Sequence, residues 1–266
     1  MQIWAHTLTV LGVGTSAPRA PLDKTIIASQ LSQYWRVSVV DLTTSTQIDL
    51  ADLANAGVAT NGDVLAAEFQ SAGRGRLDRK FEAPAGSALL FSFYIMPKRS
   101  RSDWGFLAHL AALCMSEIIS NDLNTPVSLK WPNDILIADK KVCGLIAQVP
   151  ADGIIIGIGL NVAMSLAELP VATATSLAIA DSDQLDRNQI LVQFLERFNL
   201  RFLDWDTGRD FIDEYSKASA TLGCDVQIEV AGRENRIGFA QSITASGALI
   251  LADGFEVNVG DVVHLR

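Results

Sequence analysis

Between Val127 and Val162 the chain holds short apolar, β-rich runs broken by Asp139-Lys140-Lys141 and Ala151-Asp152-Gly153. Connections this short leave no room for the dozen or so residues of a parallel crossover, so the runs read as an antiparallel meander. Strands are also expected at Trp35–Leu42, where Val37, Val39 and Val40 are β-branched, and at Asp63–Phe69 and Ser87–Ile95. Asp103–Ile119 reads as a helix, because Trp104, Leu107, Ala108, Ala111, Cys114, Met115 and Ile118 recur at three- and four-residue intervals. Cys114 lies on that apolar stripe and His109 lies off it. A shorter helix is expected after Thr44-Ser45-Thr46-Gln47, whose hydroxyl residues suit a helix cap, with Gly57 as its stop. Arg187–Leu203 is a second amphipathic helix with Ile190, Leu191, Phe194, Leu195 and Phe198 inward, and with Asp186 and Gln189 as a capping pair. From about Leu222 the pattern changes to short alternating strands (Asp225–Val230, Ile237–Ile243, Ala248–Leu251, Phe255–Val259, Val262–Leu265), which suggests a small barrel.

The 266 residues suffice for one large domain plus a small one, and 49 % hydrophobic with 19 % charged residues is globular composition. A net charge of −9 argues against broad binding to DNA or RNA. Cys114, Cys143 and Cys224 are odd in number and widely spaced, which excludes a disulfide framework or a zinc motif and points to a reduced, cytoplasmic setting. Met1 to Ala17 carries no lysine or arginine, unlike a signal peptide, and no apolar run is long enough for a membrane helix. Leu11 to Ala17 matches G-x-G-x-x-A, but Pro18 and Pro21 follow at once, so the dinucleotide reading is rejected.

Against this acidic background, Gln70 to Lys80 concentrates four cations (Arg74, Arg76, Arg79, Lys80) with Gly73 and Gly75. Glycine allows close backbone approach to a ligand, and arginine forks match carboxylate and phosphate oxygens. Either a solvated basic loop or an anion site fits this stretch alone. Lys130-Trp131-Pro132-Asn133-Asp134 adds a lysine at a strand end, fixed by turn residues that do not themselves require it. Gly157-Ile158-Gly159-Leu160-Asn161-Val162 is an apolar strand ending in a polar amide.

In order and spacing, GRGRxxRK (Gly73–Lys80), KWPND (Lys130–Asp134), Lys141–Ile146 and GIGLNV (Gly157–Val162) resemble the biotin protein ligases. These enzymes activate biotin and attach it to carboxylase subunits. The resemblance covers about residues 35 to 265. It implies an α+β fold: a mixed sheet carrying helices on one side, similar to the catalytic core of class II tRNA synthetases, followed by an SH3-like barrel. The expected division is an extension over 1–34 without a helix-turn-helix, hence no operator DNA binding, a catalytic domain over 35–220 and the barrel over 221–266. It also implies ATP and Mg²⁺ as cofactors, biotin as substrate, and a biotin carboxyl carrier protein domain as partner. No membrane partner is expected, and the oligomeric state stays open between monomer and homodimer.

By the same resemblance, Lys130 and Arg76 are the catalytic residues. The biotin site comprises Ser45, Thr46, Gln47, Gln70, Arg74, Gly75, Arg76, Lys130 and Gly144. The nucleotide falls to Arg74, Arg79, Trp131, Asn133 and Asn161, and no protein metal ligand is assigned. Gln47 stands where relatives commonly have asparagine, and Phe81 where they often have tryptophan. Asp134 fits either a ligand contact or a cap of its own turn, and Cys143 reads as packing beside Gly144. Two other readings remain: a lipoate or octanoyl ligase of the same fold, and a non-catalytic protein that binds biotin or nucleotide.

Overall fold

Strands rich in β-branched and aromatic residues on both faces belong in the middle of a sheet, where neither face meets water. The computed structural model, which describes residues 19–76, 79–230 and 234–265, places two such strands centrally. These are β3 (Ala88–Ile95) and β7 (Ile154–Asn161), both buried along their whole length. Around them lie β1 (Arg36–Thr43), β2 (Asp63–Gln70), β4 (Ser128–Lys130), β5 (Asp134–Ile137) and β6 (Lys140–Gln148), in the order β1-β2-β3-β7-β6-β5-β4. Only β1 and β2 pair in parallel, so the sheet is mixed, and β4 to β7 form the expected antiparallel meander.

One face of the sheet carries the main core. Leu89, Phe91, Phe93 and Ile95 of β3, with Ile154, Ile156, Ile158 and Leu160 of β7, pack against helices α1 (Lys24–Gln30), α3 (Phe106–Glu117), α4 (Arg187–Asp206) and α5 (Ile212–Ala218). Edge-on aromatic contacts lock α4 to β3, with Phe91–Phe194 centroids 5.3 Å apart and Phe93–Phe198 at 4.8 Å. The opposite face is only partly covered. There α2 (Thr46–Asn55) lays Leu50, Ala51 and Ala54 on Tyr94 and Ile155, so the helices are not all on one side as the resemblance implied. This short helix with a small apolar stripe leaves the rest of that face open, and the candidate site lies there.

Several local expectations are corrected by packing. Ten of the twelve α3 residues are buried, because α3 is enclosed by α4, α5 and strands β4 to β6 rather than presenting a single stripe. His109 is therefore inside, 4.9 Å from the Tyr215 ring and 5.9 Å from Phe106, with Nδ1 3.3 Å from the Gly105 carbonyl. Asp186 does cap α4, accepting from the Asn188 amide, but Gln189 does not complete the box. Gln184 takes that part, accepting from the Asp186 amide and donating to Gln189.

Residues 19 to 34, expected as an extension, pack into the core. Asp23 caps α1 through the Thr25 and Ile26 amides, Ile27 is fully buried, and Arg19 pairs with Glu168 at 2.6 Å. The G-x-G-x-x-A stretch, Leu11 to Ala17, lies outside the described residues. The C-terminal run forms β8 (Asp225–Glu229), β9 (Arg236–Ile243), β10 (Leu249–Leu251), β11 (Glu256–Val257) and β12 (Asp261–His264). Together these make a five-stranded antiparallel sheet in the order β11-β10-β9-β8-β12. Among the described residues no helix is long and apolar enough to cross a membrane.

The interior position of His109 has a measurable consequence. Burial lowers its pKa from the ordinary 6.5 to about 4. Between those values the unfolded chain binds a proton that the folded chain does not, so His109 lowers stability as pH falls from 6.5 to 4 and is neutral above that window. The full effect is about 3 kcal/mol. Urea unfolding of the protein and a His109→Leu variant at pH 4.5 and 7 should show a flatter pH dependence in the variant. Parallel curves for the two proteins would refute this role.

Candidate active site

On the open face of the sheet, alternate positions of β3 and β7 line a cavity of about 1060 Å³. Its floor is made shallow by glycine. A Cβ on Gly157 would lie 2.5 Å from Gln47 Oε1, and one on Gly159 would lie 2.7 Å from the Phe81 ring. Only glycine permits those side chains to lie flat over the strand. Phe81 therefore forms an aromatic wall, as the sequence suggested.

At one end, the N-terminus of α2 presents Ser45, Thr46 and Gln47, all buried. Ser45 occupies the cap position, yet its hydroxyl does not cap the helix. Gln70, at the end of β2, accepts from the Thr46 amide at 2.7 Å and from the Thr46 hydroxyl at 3.0 Å. Ser92 Oγ lies 2.8 Å from Thr46 Oγ1 and donates to Gln47 Oε1 at 3.1 Å, while Gln47 Nε2 donates to the Ile155 carbonyl at 3.3 Å. Thr46, Gln47 and Gln70 thus converge in one polar network, with Ser45 beside it at the start of α2. Ser92 joins them without having been read from the sequence, where the one signal was a serine within the otherwise apolar strand ALLFSFYI.

The rim is cationic. The Gly73–Lys80 segment doubles back on itself through a bridge between Arg74 and Lys80, with the Phe81 amide bonded to Gly73 and the Gly75 amide to the Arg79 carbonyl. Arg74 reaches the cavity from this loop and is exposed. Arg76 is partly buried, 3.1 Å from the Gly260 carbonyl, 3.4 Å from Asn133 Oδ1 and 3.8 Å from Asp261. Burial pulls its pKa below the ordinary arginine value, and Asp261 and Asp134 push it back up. Arg79 is ion-paired with the same Asp261, so the C-terminal sheet grips two arginines of the loop. Lys130, at the end of β4, is half-buried, and no carboxylate among the described residues pairs with it.

The remaining designated positions divide. Asn133 donates to the Leu145 carbonyl at 2.6 Å while its oxygen faces Arg76. Asn161 donates to the Thr175 carbonyl at 2.8 Å. Asp134 is paired with Lys141 at 2.6 Å, a third use besides the two left open, and the Lys141 chain lies over Gly144. Trp131 borders the cavity but is only 2 % exposed, and its indole N–H donates to the Gly247 carbonyl at 2.9 Å. With Thr221 accepting from its backbone amide, Trp131 fastens the C-terminal sheet to the main sheet. Cys114 and Cys143 are fully buried, and burial raises both thiols far above their ordinary range, so neither supplies a thiolate.

This arrangement, a neutral hydrogen-bonding pocket beside converging cations, suits a ligand with a polar head and an anionic tail. A family model described as the biotin/lipoate A/B protein ligase family matches residues 39–161. The biotin–[acetyl-CoA-carboxylase] ligase of Mycobacterium tuberculosis is 34 % identical over 93 % of this chain and 97 % of its own length. The bifunctional ligase/repressor BirA of Escherichia coli is 28 % identical over 91 % of this chain and 78 % of its own. Among solved structures, the biotin protein ligase of Aquifex aeolicus in complex with biotin and ATP superposes with a TM-score of 0.73 at 28 % identity, covering 87 % of this chain and 99 % of that one. By descent along nearly its full length and by fold, the chain belongs to the biotin protein ligases, within the biotin/lipoate A/B protein ligase family.

Proposed function

We propose that this protein activates biotin with ATP to biotinyl-5′-AMP and transfers the biotinyl group to one lysine of a biotin carboxyl carrier protein domain. The observation that carries the reading is the juxtaposition, in one cavity, of the polar network of Thr46, Gln47 and Gln70 with Lys130 and the arginine loop.

In the first step a biotin carboxylate oxygen attacks the α-phosphorus of ATP, the bond to the β-phosphate breaks, and pyrophosphate leaves. Two anions must approach each other, and fixed cations in a water-poor site offset that repulsion. Lys130 and Arg76 are assigned this role, because one is unpaired by any described carboxylate and the other points from the loop toward Asn133. Ser45, Thr46, Gln47 and Gln70 hold the ureido ring, with Gly144 beneath the ligand. Arg74 and Gly75 fold over the adenylate and exclude water from its anhydride bond. Arg79, Asn133 and Asn161 serve the nucleotide, and Trp131 contributes by holding its strand end in place. In the second step the neutral amine of the acceptor lysine attacks the acyl carbon, AMP leaves, and the amine proton passes to solvent.

Among the described residues no group of three or more His, Cys, Asp or Glu forms a metal cage. That suits magnesium, which binds largely through substrate phosphates and water with one or two carboxylates. Asp134 is already engaged by Lys141 at 2.6 Å, so the ion would be held mainly by the phosphates of ATP, where it would neutralise the departing pyrophosphate. A cytoplasmic site of action follows from the substrates, a carboxylase subunit and ATP.

Incubation with ATP, magnesium, biotin and a carrier domain, followed by intact-mass spectrometry, tests the reading. One biotinyl group per carrier, dependent on ATP, is expected. Lipoyl addition in a parallel reaction with lipoate, or no addition at all, would overturn it.

A further inference from the structure

Ser92 stands in the middle of β3 with its side chain fully buried, the one aliphatic hydroxyl in a strand of otherwise apolar and aromatic residues. A buried hydroxyl with nothing to bond costs stability, so its partners indicate its purpose. Those partners are Thr46 and Gln47, both on α2 and both at the cavity. Ser92 pairs in register with Gly157, the position whose missing Cβ leaves room for Gln47 Oε1. The Gln47 carboxamide is thus held at two ends, its oxygen by the Ser92 hydroxyl and its nitrogen by the Ile155 carbonyl.

We propose that Ser92 is a positioning residue that fixes the orientation of the Gln47 carboxamide and thereby sets the selectivity of the cavity for a ureido ring. The proposal rests on the biotin reading above. A glutamine amide has a donor end and an acceptor end of nearly the same shape, and only its neighbours decide which way each points. With one N–H on Ile155 and one oxygen lone pair on Ser92, a single N–H and a single lone pair remain for the ligand. A cyclic urea offers both a carbonyl acceptor and N–H donors to match them. Without Ser92 the oxygen end loses its tether, the weak 3.3 Å bond to Ile155 is left to hold the amide, and the order is lost. Discrimination against a ring that replaces the urea carbonyl with an imine should then fall.

The test compares biotin with 2-iminobiotin in biotinyl-AMP formation by the full chain. Ser92→Ala should raise KM for biotin about tenfold, with a much smaller change in kcat and in KM for ATP, and should shrink the preference for biotin over 2-iminobiotin. Ser92→Cys, similar in shape but a weaker donor, should fall between the two. In a Gln47→Ala background, Ser92→Ala should leave the preference unchanged, because the residue acts through Gln47. An unaltered preference in Ser92→Ala overturns the proposal. So does an equal shift with and without Gln47, or equal losses in every kinetic constant. If the unaltered protein forms no biotinyl-AMP, the biotin reading fails first and takes this proposal with it. Normal activity beside an unresponsive Ser92→Ala sinks the proposal alone.

Discussion

Replacing Lys130 with alanine should slow biotinyl-5′-AMP formation by about 10²–10³-fold, the usual cost of removing one preorganised electrostatic donor. The physical case rests on placement. Lys130 ends β4, its strand paired residue for residue with β5 by the turn through Pro132 and Asn133. Its neighbour Trp131 is buried and tied to Gly247, so the backbone that carries the ammonium is held on both sides. Three of the other cations at the cavity have partners. Arg76 and Arg79 lie on Asp261, and Lys141 lies on Asp134. Arg74 and Lys80 also make no ion pair with a described residue but are exposed, so Lys130 is the half-buried cation able to meet two anions without first breaking an ion pair. Because its side chain makes no ion pair with a described residue, the variant should keep its melting temperature. Lys130→Arg should recover only part of the rate, since a planar fork does not reproduce a compact point charge. Single-turnover formation of the adenylate measures this directly. A loss of less than tenfold would remove Lys130 from the catalytic step.

The largest effect on stability should come from Arg187→Leu. The Arg187 side chain is 3 % exposed and joins three separate segments. It donates to the Ala88 carbonyl at 3.2 Å, to the Ala20 carbonyl at 2.7 Å and to Glu68 at 2.8 Å, while Glu68 also accepts from the Leu22 amide. Removing one partner of a buried pair leaves the other charge uncompensated, at a cost of about 3–5 kcal/mol. For a chain of this size that lowers the melting temperature on the order of ten degrees. The double variant with Glu68→Gln should recover part of the loss, because no stranded carboxylate remains. A shift under two degrees for Arg187→Leu would show that water already reaches the pair.

How much of this was legible beforehand depends on whether a signal is local. The meander and α4 could be read because alternation and amphipathic spacing repeat within a few residues. Helix α1 could not be read, since its seven residues bury only Ile27 and its cap, Asp23, lies two residues after Pro21. The all-round burial of α3 was invisible for a different reason: its expected stripe is buried except for Ala108, and further elements cover its other sides as well. In the site, the arginine loop stood out as a cluster of cations in an acidic chain. Ser92 did not, because one hydroxyl in an apolar strand has no spacing to mark it. Trp131 drew notice beside Lys130 as a ligand contact, and its indole turned out to hold the C-terminal sheet.

The amino-acid sequence alone therefore determined the inventory: which strands exist, which turns hold glycine, and which cations gather near Arg74 and Lys130. The tertiary structure decided the pairings. Arg76 meets Gly260, Gln47 meets Gly157, and Arg187 meets Glu68, each across roughly a hundred residues or more of chain. Periodicity and turn chemistry act over a few residues, whereas these contacts form only when distant strands are brought into register. The charge and polarity of the cavity are set by such contacts, so they could be read only from the folded chain.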